Sequence, residues 1–538
     1  MRVPAAPLQA SSVRARLPPR YLFPTILLIA VAVRVWGLGF GLPDIVARPD
    51  ETEMAGPAVG FLSGDLRPPF FEWPTLFTYT TALLYVLYFL VTRPFNAYAT
   101  LAQFAESRRQ NLAPFLFVTR SLSALMGAAT VWGVYAICRR VFDETVGIVA
   151  ALFLALAFLH VRDSHFGVTD VAMTGLVVLA VLAILRWRDT GLLPHAGIAG
   201  LVAGLAGSTK YNGLAAGLPF VAAISERFSS GGKAVAAAFA VFAAAMALGF
   251  FGASPYILID WPRFQASVMG VSAHLAAGHG MTVGRGWWHF ARVVLPAGIG
   301  WPIVLAGGLG VLALTATRVR DAAVLFAFPI AYYLVAGQSY TVFARYIIPV
   351  IPFLCIAAAW LVVSLVRAMT RRAEPHVRNA AIAAAAMAVV APTAIKTIQL
   401  DRLLATTDNR VIVAQALVDK PPARSLYQSG EPYGYVPMML GGRQVGRSVR
   451  YDAATGQFDP GEPELIVVQR SPLVLYSAVP ASLERVLHER YELVQHFPTG
   501  DDRARVYDQQ DAFYLPLGSL AGITRPGPAF DLYRRRSQ

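Results

Sequence analysis

The sequence predicts a polytopic α-helical membrane protein with a small soluble α/β domain at its C-terminal end. Three observations carry that expectation. Of 538 residues, 56% are hydrophobic and only 14% are Asp, Glu, Lys or Arg, against about 25% charged in an ordinary soluble chain. Mean hydropathy is +0.51. Apolar stretches recur through residues 21–396, whereas Asp, Glu and Gln become common after about residue 397. A soluble globule of this size has too little charge to cover so much apolar surface. The same richness in apolar and aromatic residues excludes disorder.

The 46 Lys+Arg against 32 Asp+Glu leave a net charge of +14. In a soluble domain that balance would suggest nucleic acid. Here no zinc-finger spacing, RNP-type motif or long basic run supports a nucleic-acid partner. Basic residues instead collect in the cytoplasmic loops of membrane proteins. The two cysteines, Cys138 and Cys355, both fall in apolar segments and do not suggest a structural disulfide.

Residues 1–20 read as a cytoplasmic N-terminus carrying Arg2, Arg14, Arg16 and Arg20. The first apolar run, 21–41, contains small-x-small triplets, but it continues through Arg34 and Trp36 to Phe40. It therefore reads as a retained helix rather than a cleaved signal, with Arg34 facing the bundle interior or snorkelling. Further apolar segments lie near 73–92, 114–138, 146–160, 170–187, 195–208, 212–225, 234–253, 291–316, 321–337, 345–366 and 378–396. Arg139–Arg140, Arg186 with Arg188, Arg227 with Lys233, Arg318 with Arg320, and Arg367 to Arg378 then fall on one, cytoplasmic side. This holds provided that 73–92 does not cross. That segment begins at Trp73-Pro74, is rich in Tyr and Thr, and suits an in-plane juxtamembrane helix. About eleven crossings follow. External loops fall at 42–113, 160–170, 208–213, 253–290 and 338–345, with residues 397–538 outside as the soluble domain. Within that domain, 464–469 and 491–496 read as short strands and 481–488 as a helix between them.

Charge set against the hydropathy pattern marks candidate chemistry, and four clusters fall on the external side. Arg48-Pro-Asp-Glu-Thr-Glu53 holds the adjacent acids Asp50 and Glu51. A carboxylate there can serve as general base, or the acids can simply favour a helix start. His160 to Asp170 crowds Arg162, Asp163 and His165 into a short turn, with Asp170 placed as an N-cap. The histidines and aspartates, with the acids of the first loop, also admit a divalent metal, although no ligand spacing specifies one. Ser208-Thr-Lys210-Tyr-Asn-Gly213 is a hairpin tip between two short apolar segments, where Lys210 either snorkels or binds a phosphate. Arg345 opens the apolar segment 345–366 and either anchors it or presents its fork of donors to phosphate oxygens. The glycine string 278–286 follows no strand and so reads as a loop able to close over a substrate rather than a nucleotide site.

The ordered set of these motifs resembles the GT-C superfamily of integral-membrane glycosyltransferases. The set also includes Glu72-Trp-Pro-Thr-Leu-Phe-Thr-Tyr79, Arg120-Ser-Leu-Ser-Ala-Leu-Met-Gly127, Thr209-Lys-Tyr-Asn-Gly213 and Arg345-Tyr-Ile-Ile-Pro349. The nearest group is that of the protein O-mannosyltransferases and lipid A aminoarabinose transferases, over roughly residues 20–400. The tail Tyr507-Asp-Gln-Gln-Asp-Ala-Phe-Tyr-Leu-Pro516 resembles bacterial members of unassigned acceptor. The resemblance implies an isoprenyl-phosphate-linked sugar as donor, a protein, lipid or glycan as acceptor, and inverting transfer at the outer face of a bacterial inner membrane. It assigns Asp50 as catalytic base with Glu51 as neighbour and Asp170 as the second acid. Arg345, Lys210 and Tyr346 would hold the donor phosphate, and Glu72, Asp163, His165 and Tyr211 would bind substrate. Many relatives carry His-Pro-Pro or Lys-Pro-Pro where this chain has Glu72-Trp-Pro74, which moves Glu72 to the acceptor side. The scheme needs no certain cofactor and leaves a divalent metal optional. The alternative class is a transporter or flippase of a lipid-linked sugar. That class calls for inverted repeats and charge at the bilayer midplane, and no repeat is evident.

Overall fold

A computed structural model describes residues 19–95, 98–227, 231–418 and 424–537. The expected cytoplasmic N-terminus therefore lies, up to residue 18, outside the described residues. The chain begins with α1 (Pro19–Val35), α2 (Asp50–Gly60), α3 (Leu76–Thr92) and α4 (Leu101–Glu106). The bundle continues with α5 (Ala113–Val141), α6 (Glu144–Ala155), α7 (Phe158–Ser164), α8 (Thr169–Thr190), α9 (Leu193–Thr209), α10 (Leu218–Ser225) and α11 (Gly232–Ala253). Short helices α12 (Tyr256–Ile259) and α13 (Trp261–Ala277) precede α14 (Gly286–His289), α15 (Leu295–Ile299), α16 (Trp301–Thr317) and α17 (Val319–Ala336). The last long helices are α18 (Ile351–Met369) and α19 (Pro375–Leu404). Among the described helices, seven are long and apolar enough to cross a membrane, or eight when the bent α6–α7 pair counts as one span. Three shorter apolar helices cover 21–35, 211–225 and 301–317.

Each expected apolar segment is helical, but two are broken, and the breaks have visible causes. The α6–α7 pair bends by 60°. The backbone groups freed at the bend are met from α19: Thr393 Oγ1 accepts from the Phe158 amide (2.9 Å), and Thr397 Oγ1 donates to the Leu156 carbonyl (3.0 Å). Lipid offers no such partners, so a broken span must find them in protein. The segment near 291–316 breaks at Gly300, whose φ of 81° stops α15 and starts α16. Arg34 faces the interior, donating to Ala30 and Ala155 carbonyls and meeting His160 Nδ1 at 3.0 Å.

Residues Leu76–Phe95 are long and apolar enough to cross, yet their partners place them along one face. Thr75 Oγ1 donates to the Ala253 carbonyl at the end of α11 (2.8 Å). Further on, Tyr85 Oη donates to the Phe115 carbonyl in the first turn of α5 (3.0 Å). Ala82, Tyr85 and Phe89 pack with Ala58 of α2, Phe104 of α4 and Phe115. All these partners are helix ends or loop helices on the side that carries the polar clusters, so α3 runs along that side.

α19 continues to Leu404, beyond the boundary at 397 drawn from composition. The domain after it contains α20 (Asn409–Val418), β1 (Ser425–Gln428), β2 (Met439–Leu440), β3 (Arg443–Gln444), β4 (Arg447–Ser448), β5 (Arg450–Asp452), β6 (Gln457–Asp459), β7 (Leu465–Arg470), α21 (Val474–Ser477), α22 (Ala481–Arg490), β8 (Tyr491–Phe497) and β9 (Ala529–Arg535). Its main sheet has the order β4-β1-β7-β9-β8, with β9 antiparallel to both neighbours. Leu465 and Val467 pack with Val413 and Leu417 of α20, while Ile466 and Val468 pack with Leu483 and Leu487 of α22. A strand covered on both faces reads as an unbroken apolar run, which is why Leu465-Ile-Val-Val468 shows no alternation. Between β8 and β9 the chain leaves this domain, and Phe513, Leu515, Leu517 and Leu520 join the core of the helical bundle.

Candidate active site

Four helix starts or ends meet at one point on the face along which α3 lies. Asp50 is the first residue of α2, behind Pro49. Asp170 lies in the first turn of α8, after the extended Val168. Helix α8 starts two residues earlier than the N-cap reading of Asp170 requires, and the Asp170 carboxylate is turned instead to Lys210. Lys210 follows the last residue of α9 in an extended conformation. The chain then turns back so tightly that a Cβ on Gly213 would meet the Ala206 carbonyl carbon at 2.4 Å, which requires glycine there. Arg345 sits in the 3₁₀ turn Ala344–Val350 that leads into α18.

These side chains line a small pocket with Met54, Trp73, Val168, Thr169 and Tyr346. Arg345 is the hub. Its Nη2 lies 2.6 Å from Asp50, its Nε 3.8 Å from Asp170 and its Nη1 3.8 Å from Asp511. Each guanidinium nitrogen thus faces a different carboxylate, from α2, α8 and the β8–β9 excursion. Lys210 Nζ reaches the other Asp170 oxygen at 2.5 Å. The Tyr346 ring lies 4.6 Å from Lys210 Nζ and 5.6 Å from the Arg345 guanidinium carbon, so both cations lie against one aromatic ring. Asp50 is the open corner, with its side chain 28% exposed, against 3% for Asp170 and 4% for Asp511.

The structure therefore brings together Asp50, Asp170, Lys210, Arg345 and Tyr346. Glu72 and Tyr211 do not line the pocket but are next in sequence to its lining residues Trp73 and Lys210. Tyr211 Oη donates to the carbonyl of Phe71 (2.9 Å), beside the exposed Glu72. Three expected site residues lie elsewhere. Both Glu51 oxygens accept from Arg120 at 2.7 Å, and Oε1 also accepts from the Gly167 amide at 2.9 Å, so Glu51 is fully buried behind the pocket. Asp163 is buried against Arg162 at 2.9 Å. His165 is buried, with its ring nitrogens on the Val161 and Trp36 carbonyls. In each case a polar partner already occupies the group. Among the described residues, no three His, Cys, Asp or Glu gather as a metal-holding set. The pocket acids are each engaged with a cation.

Arg48, Asp508, Asp511 and His279 carry no role in the sequence reading, yet they adjoin Arg345. Arg48 is fully buried and ion-paired with Asp511. Burial pushes the Asp508 carboxyl up to about 7, and Asp511 adds to the push. Burial works the same way on Asp511, but Arg48 and Arg345 outweigh it and hold that carboxyl below its usual range. The His279 ring lies 5.0 Å from Phe343. Burial, with His274 and Arg345 nearby, holds it below the usual histidine range. The signal for Asp511 was present, in an acid pair preceding an aromatic and aliphatic stretch. Only its docking against the bundle gives that pair a meaning.

Comparison with known proteins bears on this arrangement. Residues 115–259 match the family of dolichyl-phosphate-mannose-protein mannosyltransferases. No curated protein matches the chain in sequence. ArnT from Cupriavidus metallidurans in the apo state superposes with a TM-score of 0.52 at 15% identity, over 94% of this chain and 97% of that one. The same protein bound to undecaprenyl phosphate gives 0.50 at 16% identity, over 88% and 96%. The oligosaccharyltransferase of Archaeoglobus fulgidus in its apo form gives 0.52 at 12% identity, over 97% and 89%. In fold the chain is thus a multi-pass helical protein similar to ArnT and to the archaeal oligosaccharyltransferase, and over residues 115–259 it is similar to the dolichyl-phosphate-mannose-protein mannosyltransferases.

Proposed function

We infer that the protein is a glycosyltransferase that moves a sugar from a polyprenyl-phosphate carrier to an acceptor, with inversion, at the outer face of a bacterial cell membrane. The observation that carries this reading is a single pocket holding a partly open carboxylate, Asp50, beside two cations, Arg345 and Lys210. Inverting transfer needs those two functions next to each other: a base for the acceptor and positive charge for the departing phosphate.

In this scheme the donor phosphate takes the Arg345 and Lys210 side of the pocket and displaces Asp50 from Arg345. The freed Asp50 then faces the acceptor. The acceptor's oxygen or nitrogen bonds to the anomeric carbon as the bond from that carbon to the phosphate oxygen breaks. The acceptor's proton passes to Asp50, and polyprenyl phosphate leaves with the electron pair, its charge held by Arg345 and Lys210. Asp170 holds the two cations at a common spacing, and Tyr346 packs between them. Glu72 and Tyr211, next in sequence to the lining residues Trp73 and Lys210, suit contact with the acceptor. An apolar groove between α16, α17 and α18 suits the polyprenyl chain, lined by Phe326, Pro329, Ile330, Tyr333 and Phe353. It reaches Val350, the last residue of the turn that carries Arg345. The arginines at the opposite helix ends support an outward-facing pocket.

The test uses purified full-length protein in lipid nanodiscs with a panel of undecaprenyl-phosphate sugars, measuring release of undecaprenyl phosphate. Release from one donor is expected, falling by about 10²–10⁴-fold in Asp50→Asn, the range for loss of a general base. Undiminished release in that variant would remove Asp50 as base. No release from any donor, in the presence of membrane extract as acceptor, would overturn the reading.

A further inference from the structure

The C-terminal domain is joined to the pocket by more than packing. Its β8–β9 excursion is anchored in the bundle core by Phe513, which lies 4.9 Å from the Phe166 ring and 6.3 Å from the Phe40 ring, and by Leu515 and Leu517. Just before that anchor, three polar side chains reach the segment that carries Arg345. Asp508 Oδ2 accepts from the Ala344 amide at 2.7 Å. Gln510 Oε1 accepts from the Val342 amide at 2.6 Å, and its Nε2 donates to the carbonyls of Met281 (2.7 Å) and Tyr340 (3.0 Å). Asp511 pairs with Arg48 and stands 3.8 Å from Arg345. All three side chains are buried. Burying two carboxylates and an amide is costly unless each is paired or hydrogen-bonded, and here the partners are the Arg345 segment, the 278–286 loop and Arg48.

We propose that this excursion is part of the donor-phosphate site, with Gln510 and Asp508 positioning the Arg345 segment and Asp511 holding the inner corner of its guanidinium. The proposal rests on the reading of Arg345 as a phosphate ligand. Gln510 clasps two loops at once, the 278–286 loop and the 338–345 segment, so the turn bearing Arg345 is held from the soluble domain as well as from α18. When the donor phosphate displaces Asp50, the remaining restraints on the guanidinium are Asp170 and Asp511. Both are nearly inaccessible and therefore stay in place.

Electrostatics supplies an independent readout. Asp508 faces Asp511 on its own segment, Arg162 of α7, Arg345 and Tyr346 of the 344–350 turn, and Tyr476 of α21. A bound phosphate adds negative charge to this buried group. Its binding is then stronger with Asp508 protonated and weakens as pH rises through about 7, where that carboxyl titrates.

The experiment measures binding of undecaprenyl phosphate to the full-length protein in nanodiscs from about pH 6 to about pH 8, the window around that titration. Undecaprenol serves as the control without phosphate. The lipid's own second ionisation, near about pH 6, is common to every variant, so differences between variants report the protein. Gln510→Ala is expected to bind about tenfold more weakly, the loss of a well-placed set of hydrogen bonds. Asp508→Asn keeps an acceptor for the Ala344 amide and is expected to lose the wild type's extra fall in affinity across that window. Should Gln510→Ala fail to fold, the Asp508→Asn profile decides alone. Wild-type affinity in Gln510→Ala with a wild-type profile in Asp508→Asn overturns the proposal. Arg345→Ala separates the two readings: if it binds the phosphate as well as wild type, the phosphate site itself is wrong and the proposal falls with it.

Discussion

Glu51 and Asp50 are adjacent acids, and the structure gives them opposite fates that one pair of substitutions can separate. Glu51 bridges three elements. Its oxygens take the Arg120 side chain on α5 and the Gly167 amide in the α7–α8 turn. Arg120 in turn donates to the Leu38 and Phe40 carbonyls after α1 and lies 3.7 Å over the Phe40 ring. A Cβ on Gly167 would meet Thr119 at 2.7 Å, so the turn approaches α5 as closely as a glycine permits. Glu51→Ala leaves Arg120 charged and buried with no carboxylate, a loss of about 3–5 kcal/mol for one partner of a buried pair. It also strands a buried amide, whose usual cost of about 1–3 kcal/mol overlaps with the first. Asp50→Asn removes one partner of a partly open pair while Arg345 keeps Asp170 and Asp511, so about 1 kcal/mol or less is expected. The assay is chemical unfolding of the full-length protein in one detergent, followed with undecaprenyl-phosphate sugar turnover on the folded fraction. Glu51→Ala should lose stability and retain turnover per folded molecule, and Asp50→Asn should do the reverse. A Glu51→Ala protein that unfolds at the wild-type midpoint but transfers no sugar would refute the assignment of Glu51 as an anchor.

Other expected outcomes concern the scaffold and the groove. Gly200 and Gly204 on α9 face α11 so closely that a Cβ on Gly204 would lie 2.1 Å from the Met246 carbonyl. Gly204→Leu should therefore cost at least about 3 kcal/mol in unfolding measurements, by forcing two membrane helices apart. Asp143 caps α6 through the Thr145 and Val146 amides, so Asp143→Ala should cost about 1 kcal/mol. Its ion-pair partner is 40% exposed, and Arg367→Ala should cost less than that in the same assay. Ile330→Trp, which narrows the groove between α16 and α18, should weaken binding of undecaprenyl phosphate more than that of a short-chain prenyl phosphate. Equal effects on both lipids would remove the chain from that groove.

Much of this molecule is legible in one dimension because a membrane imposes a simple rule. Hydrocarbon tolerates only long apolar helices, so hydropathy places α5, α8, α11 and α17 within a few residues and finds α18 and α19 with one end displaced by more. The arginines sort the loops between them. Asp50, Asp170, Lys210 and Arg345 are legible for the same reason, since charge beside an apolar helix end is rare and therefore conspicuous. Direction is not legible. Asp50 and Glu51 are neighbours in sequence, but on a helix they point about 100° apart, and only packing shows that one faces the pocket and the other faces Arg120. Asp163 and His165 likewise look exposed in a short polar turn, but the bend between α6 and α7 sinks that turn into the bundle. The role of residues 508–511 is the least visible. They lie far along the chain from Arg345, in a domain of ordinary soluble composition, and reach it only because Phe513, Leu515 and Leu517 find apolar cover in the bundle. Local sequence thus determined which helices form and where charge is allowed. The tertiary structure decided which carboxylates meet which cations, because that depends on helix rotation and long-range docking.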